Sequence, residues 1–162
     1  MKSKRVSESK ITLVQQMLPQ DTNPAGNVHG GVMLKLIDTA GGVCATRHVR
    51  ANVVTASIDR LDFLEPVYVG DLVHVHTSVN YVGTKSMEVG VRVEAENLYT
   101  GECRHTATAY LTFVSLDETG RPQLVPQLIA ETEDEKRRMQ EAQERRKQRL
   151  AERKKEKAAQ EN

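Results

Sequence analysis

Apolar and polar residues follow two different patterns along the first 130 residues. Residues 11–18 predict a short strand, which Pro19 ends. In residues 32–49 the apolar positions recur at helical spacing and run nearly all round, so we expect a buried helix. From Asn52 onward, alternating or β-branched segments predict four strands: VVTASIDRLDFL, DLVHVHTSVNYV, SMEVGVRVEAENL and ECRHTATAYLTFVSL.

The order of these elements predicts an α+β domain. The polar breaks between the later strands are short, and short connections join strands that pair antiparallel. One long helix and one antiparallel sheet make a two-layer domain. We therefore expect the helix to lie across the concave face of the sheet.

The final stretch, residues 131–162, differs in composition from the rest of the chain. It is almost entirely Glu, Lys, Arg, Gln and Ala, and Met139 and Leu150 stand nearly alone as large apolar residues. Acidic and basic residues four apart favour a helix, but a coiled coil would need a sustained apolar seam. We expect residues 8–130 to form the domain and residues 131–162 to be a charged helical or disordered tail that docks on nothing.

Composition and charge exclude several classes of protein. The chain has 162 residues and a net charge of +1, which fits one domain and gives no reason to expect a nucleic-acid partner. Cys44 and Cys103 lie far apart without a CxxC pattern, so free thiols are expected rather than zinc ligands. No secretory signal and no apolar run of about 20 residues is found, so we expect a cytoplasmic protein without a membrane partner.

A long polar loop, PQDTNPAGNVHGG at residues 19–31, precedes the predicted helix and is a candidate functional segment. Gly30 and Gly31 lie where the helix begins, so their N–H groups are expected to lack intrahelical partners. Helped by the helix dipole, such groups can stabilise an oxyanion, and glycine lets a substrate approach closely. The same two residues could instead serve only as a sharp turn into the helix.

Two polar side chains near this loop are candidates for chemistry. Asp38 lies about two turns into the helix, where a carboxylate among apolar residues is costly unless it is paired or used. It either forms an ion pair with Lys35 or acts as a general base or nucleophile. Asn23 can hold a water molecule, or it can simply form a turn ahead of Pro24.

Several separated motifs together resemble the hotdog-fold acyl-CoA hydrolases, in particular the cytosolic, brain-type and bacterial broad-specificity thioesterases. NPAGNVHGG at 23–31 leads into a helix that carries Asp38, and IDRLDF at 58–63, PVYVGD at 66–71 and GTKSMEV at 83–89 follow in the family's order. The resemblance covers residues 8–128 and leaves the tail uncovered.

The resemblance implies a hotdog fold, an antiparallel sheet wrapped around one long central helix, and hydrolysis of fatty acyl-CoA to a fatty acid and CoA. It implies that Asn23 faces Asp38 of the neighbouring subunit, so that a dimer is the smallest active unit and a trimer of dimers the expected assembly. Asp38 would activate water or attack directly, Asn23 would position the water, and the Gly31 region would polarise the carbonyl. CoA is part of the substrate, and no cofactor or metal is expected.

Binding of coenzyme A requires contacts to its phosphates and amides. Residues 83–87 predict a tight turn into a strand, with free N–H groups, a hydroxyl and a lysine. An ordinary hairpin turn is the alternative. The candidate coenzyme A contacts are Gly30, Thr84, Lys85, Ser86 and Met87, with Arg137 and Arg138 of the tail.

The roles of three histidines, and the choice between an enzyme and a binding module, leave alternatives open. His29 is expected to line the site or to contact the start of the helix. It would also suit a hotdog dehydratase, although Asp38 with Asn23 fits hydrolysis better. His74 and His76 alternate on one strand face, but no third ligand of fitting spacing appears, so a metal site is not expected. A non-catalytic acyl-CoA binding module would use the same groove, and a turnover assay distinguishes it from an enzyme.

Overall fold

Helix α1, Gly30–Val49, is the long helix predicted from the hydrophobic pattern. The computed structural model describes residues 1–161. The helix begins ahead of Val32 because the His29 side chain caps it, with Nδ1 accepting a 2.9 Å hydrogen bond from the Gly31 N–H. It ends at Arg50, whose φ of 56° lies in the left-handed region.

The strands form one five-stranded antiparallel sheet and one small parallel pair. The sheet contains β2 (Ile11–Gln16), β3 (Asn52–Phe63), β4 (Leu72–Val82), β5 (Ser86–Glu96) and β6 (Cys103–Leu116), in the spatial order β2-β4-β5-β6-β3. The pair consists of β1 (Lys4–Arg5) and β7 (Leu128–Ile129). Strands β2 and β3 are therefore the two edges of the main sheet.

One face of α1 packs on this sheet and closes the core. The buried helix residues Met33, Ile37, Ala40 and Cys44 belong to one cluster with the inward-facing residues of β4, β5 and β6, which include Val75, Val89, Leu111 and Phe113. The predicted α+β architecture of the hotdog type is thus confirmed.

The opposite face of α1 is open in the single chain. Lys35, Thr39, Val43 and Thr46 are exposed, and Val43 keeps 42% of its surface accessible. The expectation that the helix is buried all round is therefore wrong for one protomer, because only one sheet covers it. This face is the part of α1 that the sheet of the same chain leaves uncovered.

Helix α2, Glu133–Gln160, contains most of the charged tail. A capping box starts it: the Thr132 hydroxyl accepts from the Glu135 N–H at 3.1 Å, and the Glu135 carboxylate accepts from the Thr132 N–H at 3.1 Å. Within residues 1–161 no helix has the length and apolar character needed to cross a bilayer.

Helix α2 docks on the outer face of the sheet, opposite α1. Arg145 donates to the Glu88 carboxylate at 2.7 Å, and Glu88 alternates along β5 with Met87 and Val89, which face the core. Ala142 is only 1% exposed. The expectation of a tail that docks on nothing is wrong, because guanidinium–carboxylate contacts replace the apolar seam that the sequence lacks.

Candidate active site

The polar loop before α1 is folded on itself around Asn23. The Asn23 Oδ1 accepts from the Ala25 N–H at 2.9 Å, and the Asn23 N–H donates to the Asn27 carbonyl at 2.8 Å. The first bond is that of an Asx turn, and the second is a backbone bond that closes the loop. Within residues 1–161 the Asn23 Nδ2 makes no hydrogen bond, so the side chain keeps one donor group for a ligand or a water molecule.

Asn23 and Gly30 line the same cavity, which has a volume of about 500 Å³. The rest of its wall is mainly apolar and includes Met33, Phe63, Leu64, Pro66, Val67 and Thr106. A largely apolar cavity with a few polar groups at one end suits a ligand that has an apolar chain and one reactive polar centre.

The two glycines at the start of α1 differ in their hydrogen bonding. The Gly31 N–H donates to His29 Nδ1, so the expectation that both N–H groups are free is wrong for Gly31. In the described part of the chain the Gly30 N–H has no partner, and Gly30 lines the cavity. The free N–H group at this helix start is therefore that of Gly30, and it lies at the positive end of the helix dipole, where an anion is stabilised.

Asp38 is held by a residue that the sequence did not single out. The Thr55 hydroxyl, on β3, donates a 2.7 Å hydrogen bond to Asp38 Oδ1. Within residues 1–161, Asp38 forms no ion pair with Lys35, which was the alternative interpretation. Because Thr55 is distant in sequence and sits on another element, no local pattern could have identified it.

Asp38 and Thr55 line a second cavity, of about 460 Å³. Its other walls come mainly from the helix and strand residues Gly42, Val43, Thr46, Val53 and Phe113. This cavity opens on the exposed face of α1 described above. It combines a carboxylate with an adjacent apolar surface.

The two cavities are separate within one chain. Asp38 lies eight residues beyond Gly30 in α1, which is roughly 12 Å along the axis at 1.5 Å per residue. A thioester carbonyl that contacts the Gly30 N–H therefore cannot reach Asp38 of the same chain by a hydrogen bond. Within one protomer, Asn23 and Gly30 therefore line one cavity and Asp38 lines another.

Comparison with known proteins decides the family. The thioesterase superfamily model matches residues 25–102. An uncharacterised acyl-CoA thioester hydrolase of Bacillus subtilis is 44% identical over 128 residues, which are 79% of this chain and 74% of that protein. The chain belongs to the thioesterase superfamily. The mouse cytosolic acyl coenzyme A thioester hydrolase is 39% identical over 84% of this chain, which spans only 36% of the mouse protein.

Solved structures extend this thioesterase likeness to nearly the whole chain. The acyl-CoA hydrolase of Staphylococcus aureus, in complex with butyryl coenzyme A, coenzyme A and coenzyme A disulfide, has a TM-score of 0.91 at 38% identity and covers 98% of this chain and 97% of that one. A hexameric acyl-CoA thioesterase has a TM-score of 0.91 at 40% identity, with coverage of 94% and 97%. Variants of the Staphylococcus aureus enzyme carry alanine in place of an asparagine, an aspartate or a threonine.

The predicted coenzyme A turn of this thioesterase-superfamily protein lies between β4 and β5. Thr84 and Lys85 are exposed, but Met87 is 1% exposed and faces the core, so its side chain is not available to a surface ligand. Arg146 of α2 lies beside Gly83 and lines a cavity of about 430 Å³ with Gly83 and Thr84. Arg146 is a candidate phosphate contact that the sequence did not indicate, because only the docking of α2 brings it to the turn.

Arg137 and Arg138 lie away from that turn. Both line a different cavity, of about 540 Å³, which Thr84 and Lys85 do not line. Arg137 donates to Glu141 at 2.9 Å, and Arg138 lies 4.0 Å from Asp134. The structure therefore does not join these arginines with the predicted coenzyme A turn.

The strand histidines of the thioesterase sheet pair with acidic residues of the neighbouring strand. His74 lies 3.0 Å from Glu96, and His76 lies 3.7 Å from Glu94. The hydrogen bond from Arg92 lowers the pKa of Glu94, and burial opposes it. In residues 1–161 no group of three or more His, Cys, Asp or Glu side chains has the geometry to hold a metal ion.

Proposed function

We propose that this thioesterase-superfamily protein hydrolyses acyl-CoA to a carboxylic acid and CoA at a site that two protomers build together. The observation that carries the proposal is the division of the site: Asn23 and Gly30 line one cavity, and Asp38 with Thr55 lines another. The relatives with this fold are named acyl-CoA hydrolases and thioesterases, and one binds butyryl coenzyme A.

The proposed dimer joins the free edge of β3 to β3 of a second chain. An unpaired strand edge is a ready surface for another strand, and the exposed face of α1 with Val43 lies on the same side as the second cavity. A two-fold axis between the chains then brings Asn23 and Gly30 of one protomer to Asp38 of its partner. Because two similar thioesterases are hexameric, we propose a trimer of such dimers as the complete assembly.

Each residue has a distinct role in the proposed reaction. The Asp38 carboxylate takes a proton from a water molecule while the water oxygen attacks the thioester carbon, and the Asn23 amide positions that water. The Gly30 N–H stabilises the oxyanion, and the tetrahedral intermediate then expels the thiolate of CoA, which takes up a proton. Direct attack by Asp38 would give an anhydride, which water then hydrolyses to the same products.

Thr55 is proposed as a positioning residue for Asp38. Its hydroxyl donates to Oδ1, and Oδ2 is left as the proton acceptor. The asparagine, aspartate and threonine that were replaced in the Staphylococcus aureus enzyme have the same spacing along that chain as Asn23, Asp38 and Thr55 have here. This correspondence supports the choice of these three residues.

Coenzyme A is proposed to bind at the turn between β4 and β5. Thr84 and Lys85 are exposed there, Ser86 follows at the start of β5, and Arg146 adds a second positive charge. A lysine and an arginine beside a turn with backbone N–H groups suit phosphates. No cofactor beyond the substrate is proposed. The free thiols Cys44 and Cys103 fit a reducing compartment, and we propose the cytoplasm.

Subunit complementation tests the shared site. Asn23→Ala and Asp38→Ala chains are each expected to release little thiol from acyl-CoA, whereas mixed and re-annealed chains regain part of the activity because a mixed dimer has one intact site. Asp38→Ala mixed with itself is the control. Exchange of subunits without recovery of activity would show that both residues act within one chain. Binding of acyl-CoA by the wild type without turnover would refute the proposed enzymatic function.

A further inference from the structure

Arg104, on strand β6, binds the segment that forms one wall of the cavity of Asn23 and Gly30. Its side chain is only 16% exposed. One guanidinium nitrogen donates to the Pro66 carbonyl at 2.8 Å, and another donates to the Asp71 carboxylate at 2.9 Å. A guanidinium can make two such bonds at once because its N–H groups form a rigid planar fork. One side chain therefore holds the segment at two points.

The segment 64–71 lacks regular secondary structure, and its first four residues line the cavity. Its fold depends on Asp71, which is 5% exposed and whose carboxylate also accepts from the Tyr68 N–H at 3.0 Å. The Arg104 guanidinium lies over the Tyr68 ring, 5.3 Å from its centre. A buried carboxylate that loses its cation is left with an uncompensated charge. The shape of this wall therefore depends on Arg104.

The same segment pairs with the polar loop before α1. The Val28 N–H donates to the Val67 carbonyl at 2.7 Å, and Asn27 forms an antiparallel bridge with Tyr68. These contacts join two parts of the chain that are distant in sequence through backbone atoms. The wall and the loop therefore move together or not at all.

The pairing continues from residues 27–28 to Asn23. Thr22 forms an antiparallel bridge with Val28, and the Asn23 N–H donates to the Asn27 carbonyl at 2.8 Å. Three short extended segments, 22–23, 27–28 and 67–68, thus lie side by side. Arg104 anchors one outer segment, and Asn23 belongs to the other.

We propose that Arg104 is a positioning residue for the hydrolysis proposed above, because it fixes the cavity wall and, through residues 27–28, the loop that carries Asn23. The described residues that line the cavity do not include Arg104, so it acts through backbone contacts and not on the substrate. Misplacement of a reacting group by about 1 Å can lower a rate by about 10². This inference rests on the proposed function, since it concerns the same cavity and the same asparagine.

Arg145 provides a matched control within the same chain. Its side chain is 22% exposed, it donates to the buried Glu88 carboxylate at 2.7 Å, and it lies 3.7 Å from the centre of the Tyr110 ring. These contacts are of the same kind as those of Arg104, but they link α2 to the outer face of the sheet. Arg145→Gln therefore removes similar interactions without touching the cavity wall.

Steady-state kinetics on the full chain test the positioning role. Arg104→Gln is expected to lower kcat on acyl-CoA at least about tenfold and to leave KM within about threefold, because the groups proposed to bind coenzyme A lie elsewhere. Arg145→Gln should keep kcat within about threefold of the wild type when both variants are assayed below their unfolding temperatures. Equal loss of kcat in the two folded variants, or none in Arg104→Gln, would overturn the proposal.

A conservative variant keeps the test open if Arg104→Gln does not fold. Arg104→Lys retains a positive charge beside Asp71, but a single ammonium group does not reproduce the fork that binds both Pro66 and Asp71. Its kcat should lie between those of Arg104→Gln and the wild type. A fully normal kcat in Arg104→Lys would show that charge alone is needed and would overturn the two-point anchor.

A double-mutant cycle tests whether Arg104 acts through Asn23. In an Asn23→Ala background, measured at high enzyme concentration, Arg104→Gln should lower the residual rate by less than about threefold, since the group that it positions is already absent. A loss as large as in the wild-type background would show that Arg104 acts by another route.

Hydrogen exchange gives a measurement that does not depend on turnover. Amides of residues 19–29 and 64–71 should exchange at least about tenfold faster in Arg104→Gln, whereas Arg145→Gln should leave them near the wild-type rates. Unchanged exchange of these segments in Arg104→Gln would overturn the inference while the proposed function stands. A wild type that releases no thiol would refute the proposed function, and the exchange rates would still decide whether Arg104 holds the loop.

Discussion

Thr55 and Asp38 connect strand β3 to helix α1 through a 2.7 Å hydrogen bond, in which the threonine hydroxyl donates to Oδ1 of the carboxylate. Strand β3 is also the free edge of the sheet. The same strand therefore orients the proposed base and provides the proposed dimer contact. Any shift of β3 on dimer formation would be felt at Asp38.

The Asp38 carboxylate should be the largest single contributor to turnover. Asp38→Asn keeps the size and a hydrogen-bond acceptor but removes the base, so kcat on acyl-CoA should fall by about 10²–10⁴. KM should change little, because the groups proposed to bind coenzyme A are elsewhere. Near-normal thiol release by the purified variant would remove Asp38 from the mechanism.

Thr55 should act through Asp38 rather than on the substrate. Thr55→Val keeps the shape and loses the donor, so kcat should fall by less than in Asp38→Asn while KM stays near the wild-type value. Thr55→Ser restores a hydroxyl and should recover most of the rate. In an Asp38→Asn background, Thr55→Val should cost little more, and an undiminished second loss would show that Thr55 has a role of its own.

The contact between Arg145 and Glu88 should be a main link between α2 and the domain. Glu88 is 4% exposed and receives hydrogen bonds from Arg145 and from Asn80 at 3.1 Å, while the guanidinium lies 3.7 Å from the centre of the Tyr110 ring. Removing one partner of a buried ion pair costs up to about 3–5 kcal/mol because the other charge is left unpaired. Arg145→Ala should therefore lower the free energy of unfolding markedly in urea titrations.

A matched exposed arginine provides the control for Arg145. Arg137 lies on the same helix and pairs with Glu141 and Asp134, but all three side chains are largely exposed. Exposed ion pairs contribute little to stability. Arg137→Ala should therefore unfold close to the wild type, because alanine also favours the helix. Equal destabilisation by the two substitutions would refute a special role for the buried pair.

Two glycines should respond oppositely to the addition of a methyl group. A Cβ at position 90 would lie 2.5 Å from Asn80 Nδ2, which is fixed by its bond to Glu88, so Gly90→Ala should destabilise by about 1–3 kcal/mol. A Cβ at position 42 would meet Phe113 at an ordinary 3.8 Å. Gly42→Ala should be neutral or stabilising by up to about 1 kcal/mol through helix propensity. Thermal denaturation of both variants checks the sign.

Buried His48 should make stability depend on pH. Its Nε2 donates to the Pro126 carbonyl at 2.8 Å, its Nδ1 is buried without a partner in the described residues, and burial lowers its pKa below the ordinary 6.5. The folded chain then holds a neutral ring, whereas the unfolded chain takes up a proton as the pH falls through about 6.5. Stability due to His48 is thus present above that pH and is lost progressively below it, down to the lowered folded pKa.

Replacement of His48 isolates this effect from other titrating groups. His48→Gln retains an N–H donor for Pro126 but does not titrate. The difference in unfolding free energy between about pH 7 and pH 5.5 should be smaller in the variant than in the wild type. An unchanged pH dependence would assign the acid sensitivity to other residues.

Much of the fold could be predicted from local pattern. The helical spacing of Leu36, Ile37 and Cys44 and the alternation in β4 and β5 are signals carried by neighbouring residues, and they placed the elements within a few positions. The hydrophobic pattern placed the start of α1 at Val32, two residues too late, because histidine is not a usual N-cap residue.

The proposed site could be predicted only in part. Asn23, Gly30 and Asp38 lie in one continuous segment that resembles a known family, so their importance could be inferred from the sequence. Thr55 and Arg146 could not, because each reaches its place through packing between elements that are distant in sequence. A contact of His29 with the start of the helix was one of the expectations, but the hydrogen bond from the Gly31 N–H that makes it depends on the rotamer of one side chain.

The sequence by itself determined the element types, the α+β class and the family, because hydrophobic periodicity and contiguous motifs are local properties of a chain. Only the tertiary structure decided that the charged tail docks through Arg145 and Arg149, and that Asn23 and Asp38 occupy separate cavities. Both outcomes depend on which distant surfaces meet. Burial of Glu88 makes Arg145 a structural partner rather than a solvated charge, and the rise of 1.5 Å per residue in α1 keeps Gly30 and Asp38 apart.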